Sequence, residues 1–445
     1  MNRDNIDFKD GKVSALFRKM LIPTLLGALS ICAVTAIDGI LIGHGVGAEG
    51  VAAVNIVVPI YQIMAGIGLM VGMGCSVAVS IHISKNNIKV ARINLTQAIW
   101  GTSLFILLLC GLILIAPEYS AKILGASDSL LPQVTDYIIW IMPSFIFQMW
   151  SMIGLFIIRL DGSPRYAMWC NIIPASLNAI LDWLFIFPLD MGVKGAAIAT
   201  GISIVFGGFM AIYYLLFRYK DLGIIWLKIS KKSIALAIRN ITYHCKIGSS
   251  TLLGEATMAV LIFVGNIVFM RYLGDDGVGA FGIACYYMPF FFMVGNAIAQ
   301  SAQPIISYNY GIEQWDKIVK TRIIIIKYAI FCGVLVSALF IFFPEELVAL
   351  FVDANSEAGT IATEGFPYLA TGILFFIINI VIIGYYQSIE KMKRATLIVL
   401  LRGFIILIPC FIILPLIFGE IGIWLAMPVT ELITLFAVGI TSIRV

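Results

Sequence analysis

Charge is the scarcest commodity in this sequence: only 12% of its 445 residues are Asp, Glu, Lys or Arg, about half the share found in soluble domains. That excludes a water-soluble globular protein. Histidine is scarcer still, with His44, His82 and His244 far apart and none at ligand spacing from another His or Cys. The eight cysteines each fall inside an apolar run, with no CxxC, and read as small buried hydrophobes and not as a disulfide framework or a metal site. The sequence also lacks HExxH, GxSxG and a Gly-rich phosphate loop with its Lys, so nothing points to an enzyme. No small-residue cleavage site follows the charged first 19 residues, so the first apolar run is expected to be a membrane span and not a removed signal.

What is present is hydrophobic: 61% of residues, with a mean hydropathy of +1.01. Twelve apolar runs are long enough to cross a bilayer. They cover 15–42, 51–81, 93–116, 133–158, 166–187, 194–217, 244–270, 277–307, 322–343, 363–387, 396–417 and 422–442. Turn-forming stretches such as GHGVGAEG (Gly43 to Gly50) and DGSP (Asp161 to Pro164) separate them. With the N-terminus inside, cations crowd the inner segments: Arg3, Lys9 and Lys12 at the start, Lys228, Lys231 and Lys232 in the middle, Lys391, Lys393, Arg394 and Arg444 towards the end. The outer segments hold only Lys122, Lys194 and Arg271. That asymmetry predicts an inside–inside topology, with both termini in the cytoplasm.

The runs repeat. Gly47 and Pro59 match Gly277 and Pro289 at an offset of 230, Arg165 matches Arg394 at 229, and Pro188, Gly192, Gly195 and Ala199 match Pro415, Gly419, Gly422 and Ala426 at 227. The expected fold is an all-α polytopic membrane protein, twelve transmembrane helices in two six-helix lobes related by a parallel repeat. The lobes are 1–218 and 241–445, joined by a cytoplasmic linker, 219–240. From Leu227 onward that linker alternates apolar and basic residues, as a helix lying on an anionic membrane surface does; a solvated linker fits equally well.

Polar residues inside the spans are the candidate functional groups. In the fifth run Asn178 and Asp182 are four residues apart and share a helix face, and an ionised Asp at mid-bilayer costs about 2.5–3.5 kcal/mol. Asp38 in the first run, Asp182 in the fifth and Thr200 in the sixth all lie about 8–9 Å below the outer ends of their helices at 1.5 Å per residue. Two carboxylates, a carboxamide and a hydroxyl at one level offer hard oxygen donors suited to H⁺ or Na⁺. The bland readings are a snorkelling Asp38 and interhelical hydrogen bonds at Asn178 and Thr200. The second lobe has no carboxylate at the matching positions. Glu255 near mid-membrane pairs with Lys246 or forms a second cation or substrate site, Arg402 and Glu431 are expected to pair with each other, and the aromatic cluster at Tyr286 and Tyr287 either lines a cleft for flat cations or packs.

These residues resemble the multidrug and toxic compound extrusion (MATE) antiporters over essentially the whole chain. The stretches that carry the likeness are TAIDGILIGHGVGAEGVAAVNIVVPI (Thr35 to Ile60), LNAILDWLFIFPLDMGVKGAAIAT (Leu177 to Thr200) and AQSAQPIISYNYG (Ala299 to Gly311). The resemblance implies that Asp38, Asn178, Asp182 and Thr200 form the cation site and that Pro23 is the bend of helix one. Glu255 would be a second-lobe acid, with Tyr286, Tyr287 and Gln300 near it, though helix ten (Gly365 to Gln387) offers no carboxylate to partner it. It implies a monomer in the bilayer that exports lipophilic organic cations in exchange for H⁺ or Na⁺ by alternating access, with no cofactor beyond the coupling ion and no nucleic-acid partner. A flippase for lipid-linked saccharides is the alternative within the same superfamily.

Overall fold

An apolar segment in hydrocarbon must satisfy every backbone N–H and C=O within itself, which leaves the helix as the form open to these runs. The structure, a computed structural model, describes residues 6–228 and 230–442; Arg3 and Arg444 lie outside the described residues. The helices are α1 (Val13–Gly45), α2 (Ala48–Ser84), α3 (Ile88–Ile115), α4 (Pro117–Ile123), α5 (Leu131–Ile141), α6 (Phe145–Leu160), α7 (Pro164–Ile186), α8 (Gly192–Tyr213), α9 (Lys231–Gly311), α10 (Trp315–Phe342), α11 (Pro344–Ala349), α12 (Glu357–Ser388), α13 (Met392–Leu400), α14 (Leu407–Phe418) and α15 (Glu420–Ser442).

Eleven stretches among the described residues are long and apolar enough to span a membrane. One of them, α9, is 81 residues long and is broken at Gly274 (φ 66°, ψ −156°). Counting its two parts gives the twelve spans expected. α5 and α6 form one span through a 3-10 turn at Met142–Ser144, and α13 and α14 form another through a π-helical segment, Leu401–Ile405.

The repeat is written into the backbone. Left-handed residues stand at Gly47, Asn86, Gly162 and Gly192, and again at Gly274, Glu313, Glu390 and Gly419, each pair 227 or 228 residues apart. This corrects the sequence pairing in two places: the partner of Gly47 is Gly274 and not Gly277, so Pro59 and Pro289 are not equivalent, and the 228-residue offset at Gly162 and Glu390 pairs Arg165 with Lys393 and not Arg394. The later pairs at 227 agree with the backbone.

Contacts divide the chain into two compact units, Met1–Leu252 with Ser307–Gln314, and Leu253–Ile306 with Trp315–Val445. Within the first unit the segment after α8 is held down. Asp161, in the turn between α6 and α7, accepts hydrogen bonds from the backbone N–H groups of Lys220 (2.6 Å), Asp221 (2.9 Å) and Leu222 (3.1 Å) and from the Tyr214 hydroxyl (2.8 Å). Burial pushes its carboxyl above the ordinary value, against the pull of those donors. Ile225 N–H donates to Thr96 Oγ1 at 3.1 Å, and Asn240 Nδ2 to Gln97 Oε1 at 2.8 Å. The basic segment has no regular helix up to Lys228; the Ser230 side chain caps α9, and from Lys231 the segment is continuous with that helix, Lys231 and Lys232 remaining exposed.

Candidate functional site

In the first unit α1 and α7 run side by side in parallel. A methyl group added at Gly27 would sit 3.0 Å from Asn171 Nδ2, and one added at Gly45 would collide with Ile186. The two contacts fix a register in which Asp38 falls beside Asp182, and the two carboxyl groups interact. Asp182 is fully buried and Asp38 half-buried. Asp38 Oδ1 and both oxygens of Asp182 are buried without a hydrogen-bond partner. One turn below Asp182, Asn178 Nδ2 donates to Thr200 Oγ1 on α8, at 3.4 Å.

All four residues of the first-lobe set are thus brought together by α1, α7 and α8. Sequence reasoning missed three others. Tyr61 on α2 and Tyr137 on α5 lie within electrostatic reach of Asp38, Tyr137 also of Asp182, and they face Gln148 on α6 and Thr200 respectively. Both amide atoms of Gln148 are buried, with the Tyr61 hydroxyl beside them.

A cavity of about 170 Å³ adjoins this cluster, with Thr35, Tyr61, Gln148, Asn178 and Thr200 among its walls. Buried polar atoms are nearly always paired in proteins, so orphaned carboxylate oxygens beside a cavity suit a proton or a small hard cation. Among the described residues no three His, Cys, Asp or Glu gather as a metal cluster. A cation here would draw on the two carboxylates together with Asn178 and Thr200.

Pro23 is buried inside α1, which runs through it as one helix of 33 residues. The remaining candidates lie in the second unit. Glu255 is half-buried on α9, without an ion pair among the described residues. Tyr286 is 71% exposed and stacks on Phe351; the Tyr287 hydroxyl donates to the Leu347 carbonyl at 2.9 Å, with its ring edge-on to Phe340 and Phe366. Gln300 is half-buried.

Arg402 and Glu431 do pair. Arg402 Nη2 meets Glu431 Oε1 at 2.6 Å and its Nε lies 3.0 and 3.2 Å from the two carboxylate oxygens, with both side chains buried. Asn379 Nδ2 donates to Glu431 Oε2 at 2.7 Å and to its carbonyl at 2.9 Å, and the guanidinium lies 4.4 Å from the Phe376 ring. At an offset of 227 the positions matching Asp38, Asn178, Asp182 and Thr200 are Gly265, Ile405, Pro409 and Met427. The oxygen-rich set is confined to the first half.

Two repeats of six spans, one of them holding an intramembrane carboxylate pair beside a cavity, define a multi-pass membrane transporter. The MatE family model matches the chain twice, over residues 23–184 and 251–412, and the chain belongs to this family, the MATE transporters. The multidrug export protein MepA of Staphylococcus saprophyticus is 24% identical over 435 residues, 95% of this chain and 93% of that protein. The MATE multidrug transporter DinF-BH, solved as a complex, is similar over 100% of this chain and 98% of its own, with 29% identity and a TM-score of 0.85. An outward-facing multidrug resistance MATE transporter of the MOP superfamily superposes with a TM-score of 0.89 at 20% identity, over 96% of this chain and 94% of its own, which speaks for the fold.

Proposed function

We infer that the protein is a secondary antiporter of the bacterial plasma membrane, with both termini in the cytoplasm, exporting lipophilic organic cations as a monomer in exchange for H⁺ or Na⁺. The observation that carries this reading is the pair Asp38 and Asp182, apposed inside the first unit with orphaned oxygens beside a cavity. Multidrug export by MepA and multidrug transport by DinF-BH fit the same substrate class.

The chemistry is a competition for charge. An organic cation in the cavity is held by whichever carboxylate is ionised; an incoming H⁺ or Na⁺ neutralises that charge and releases the cation. A carboxylate cut off from water favours its protonated form, and one open to water releases the proton, so access and affinity are linked. Asn178 and Thr200 supply neutral oxygens at the same level, and Tyr61 and Tyr137 supply hydroxyls. Each charge moved inward gains about 2.3 kcal/mol per 100 mV of membrane potential, which drives the cycle.

The test is ethidium uptake into everted vesicles, whose outer face is the cytoplasmic one, under separately imposed H⁺ and Na⁺ gradients. Export driven by one gradient in the wild type and lost in Asp182→Asn is the expected result, and it names the coupling ion. Absence of cation export under either gradient, with the protein folded and inserted, would overturn the antiport reading.

A further inference from the structure

A second cavity, about 400 Å³, lies wholly within the second unit, between the N-terminal part of α10 and the C-terminal parts of α12 and α15. Its walls are apolar, with Ile326, Val381, Ile382 and Leu435 among them, but Arg322 and Lys327 also line it, and no Asp or Glu does. Arg322 lies 5.9 Å from the Tyr385 ring centroid. Lys327 is exposed, five residues further along α10 and so about 7.5 Å deeper into the span. It has no ion-pair partner among the described residues. A lysine facing hydrocarbon from within a membrane span is costly unless it reaches water or meets an anion.

These three helix ends are the ones that the cation asymmetry assigns to the cytoplasmic side, close to Lys317, Lys320, Lys391, Lys393 and Arg394. Phosphate groups of the inner leaflet lie at that depth, and basic pockets between spans on that side are suited to anionic lipid headgroups. An exported organic cation would be repelled by Arg322 and Lys327. A neutral detergent-like molecule would leave both charges unmet.

We propose that this groove is a binding site for an anionic phospholipid of the cytoplasmic leaflet. Its phosphate sits between Arg322 and Lys327, and its acyl chain lies against Ile326, Val381, Ile382 and Leu435. The site is separate from the first-unit carboxylates and does not depend on which ion drives transport.

Native mass spectrometry of the purified full-length chain, titrated with phosphatidylglycerol or with phosphatidylcholine of the same acyl chains, tests this. The expected result is a saturable preference for phosphatidylglycerol that is lowered about thirtyfold in the double variant Arg322→Gln and Lys327→Gln, at about 1 kcal/mol per surface cation. The control Lys85→Gln with Lys89→Gln, on exposed cations elsewhere, leaves it unchanged. Gly439 lines the groove with open space around it, so Gly439→Trp blocks the groove while keeping both charges, and it abolishes the preference too. Glycerol 1-phosphate, a headgroup without chains, competes only weakly. Equal binding of the two lipids, a preference that survives in the double variant, or one that survives in Gly439→Trp would each overturn the proposal.

Discussion

At the positions where the first half of the repeat keeps a cavity lined by Met152, Ala175 and Ile204, the second half carries Asn379, Arg402 and Glu431, each 227 residues later. There they are hydrogen-bonded into a buried network in which both oxygens of Glu431 accept. The backbone differs at the same place. Pro174 sits inside α7 in the first half, and its counterpart Leu401 opens the π-helical segment that carries Arg402. One helical plan therefore accommodates either orphaned acids beside a cavity or an acid already paired. A carboxylate whose charge is met by a fixed guanidinium has nothing left to offer a mobile cation, whereas Asp38 and Asp182 have only each other. On the antiport reading proposed above, the first half is the one with acids free to exchange an ion, and the second half holds its acid in a fixed pair.

That difference is open to attack from both sides. Asp182→Asn, on the ion-exchanging side, lowers coupled ethidium export at least tenfold, towards vesicles without the protein. Its melting temperature in detergent is nearly unchanged, because the carboxylate has no partner outside the Asp38–Asp182 pair. Arg402→Ala, on the paired side, does the reverse to stability. It strands Glu431 in the interior and costs about 3–5 kcal/mol in denaturant or thermal unfolding, while Arg402→Met with Glu431→Leu recovers most of the loss. Ala175→Leu brings bulk into the first-half cavity at the position of Arg402 and weakens ethidium binding about tenfold, read by fluorescence titration, with both carboxylates intact.

The smallest effect concerns the turns. The first half places Asn86 and Gly162 at its left-handed positions and the second half Glu313 and Glu390. A glutamate in that conformation carries steric strain, so Glu313→Gly raises stability by about 0.5–1 kcal/mol in thermal unfolding.

Much of this was legible in the sequence because hydrocarbon imposes one rule on every span. Apolar runs became helices, and isolated charges in those runs, Asp38, Asp182, Arg402 and Glu431, became the groups that interact. The register of the repeat slipped at Gly47 because glycine is abundant, 40 residues in all, and only its backbone angle distinguishes Gly274 from Gly277. The break in α9 was legible as a pair of runs, 244–270 and 277–307, and Gly274 falls in the gap between them; what the runs did not show is that the two helices join through a single residue with positive φ. Tyr61, Tyr137, Gln148 and Asn379 escaped notice for a different reason. They are uncharged, common in membrane helices, and acquire meaning only through neighbours on other helices. The basic segment before α9 was read as amphipathic from its alternation, yet its fate was set by Asp161 and Gln97, residues more than 50 positions away.

The most direct measurement is the affinity of the purified protein for ethidium as pH and Na⁺ concentration are varied separately, for the wild type and for Asp38→Asn and Asp182→Asn. The antiport reading predicts that wild-type affinity falls as the coupling ion rises and that this dependence is lost or greatly reduced in both variants. An affinity indifferent to both ions, or an ion dependence that survives in both variants, would contradict the claim that drug and ion compete for this carboxylate pair.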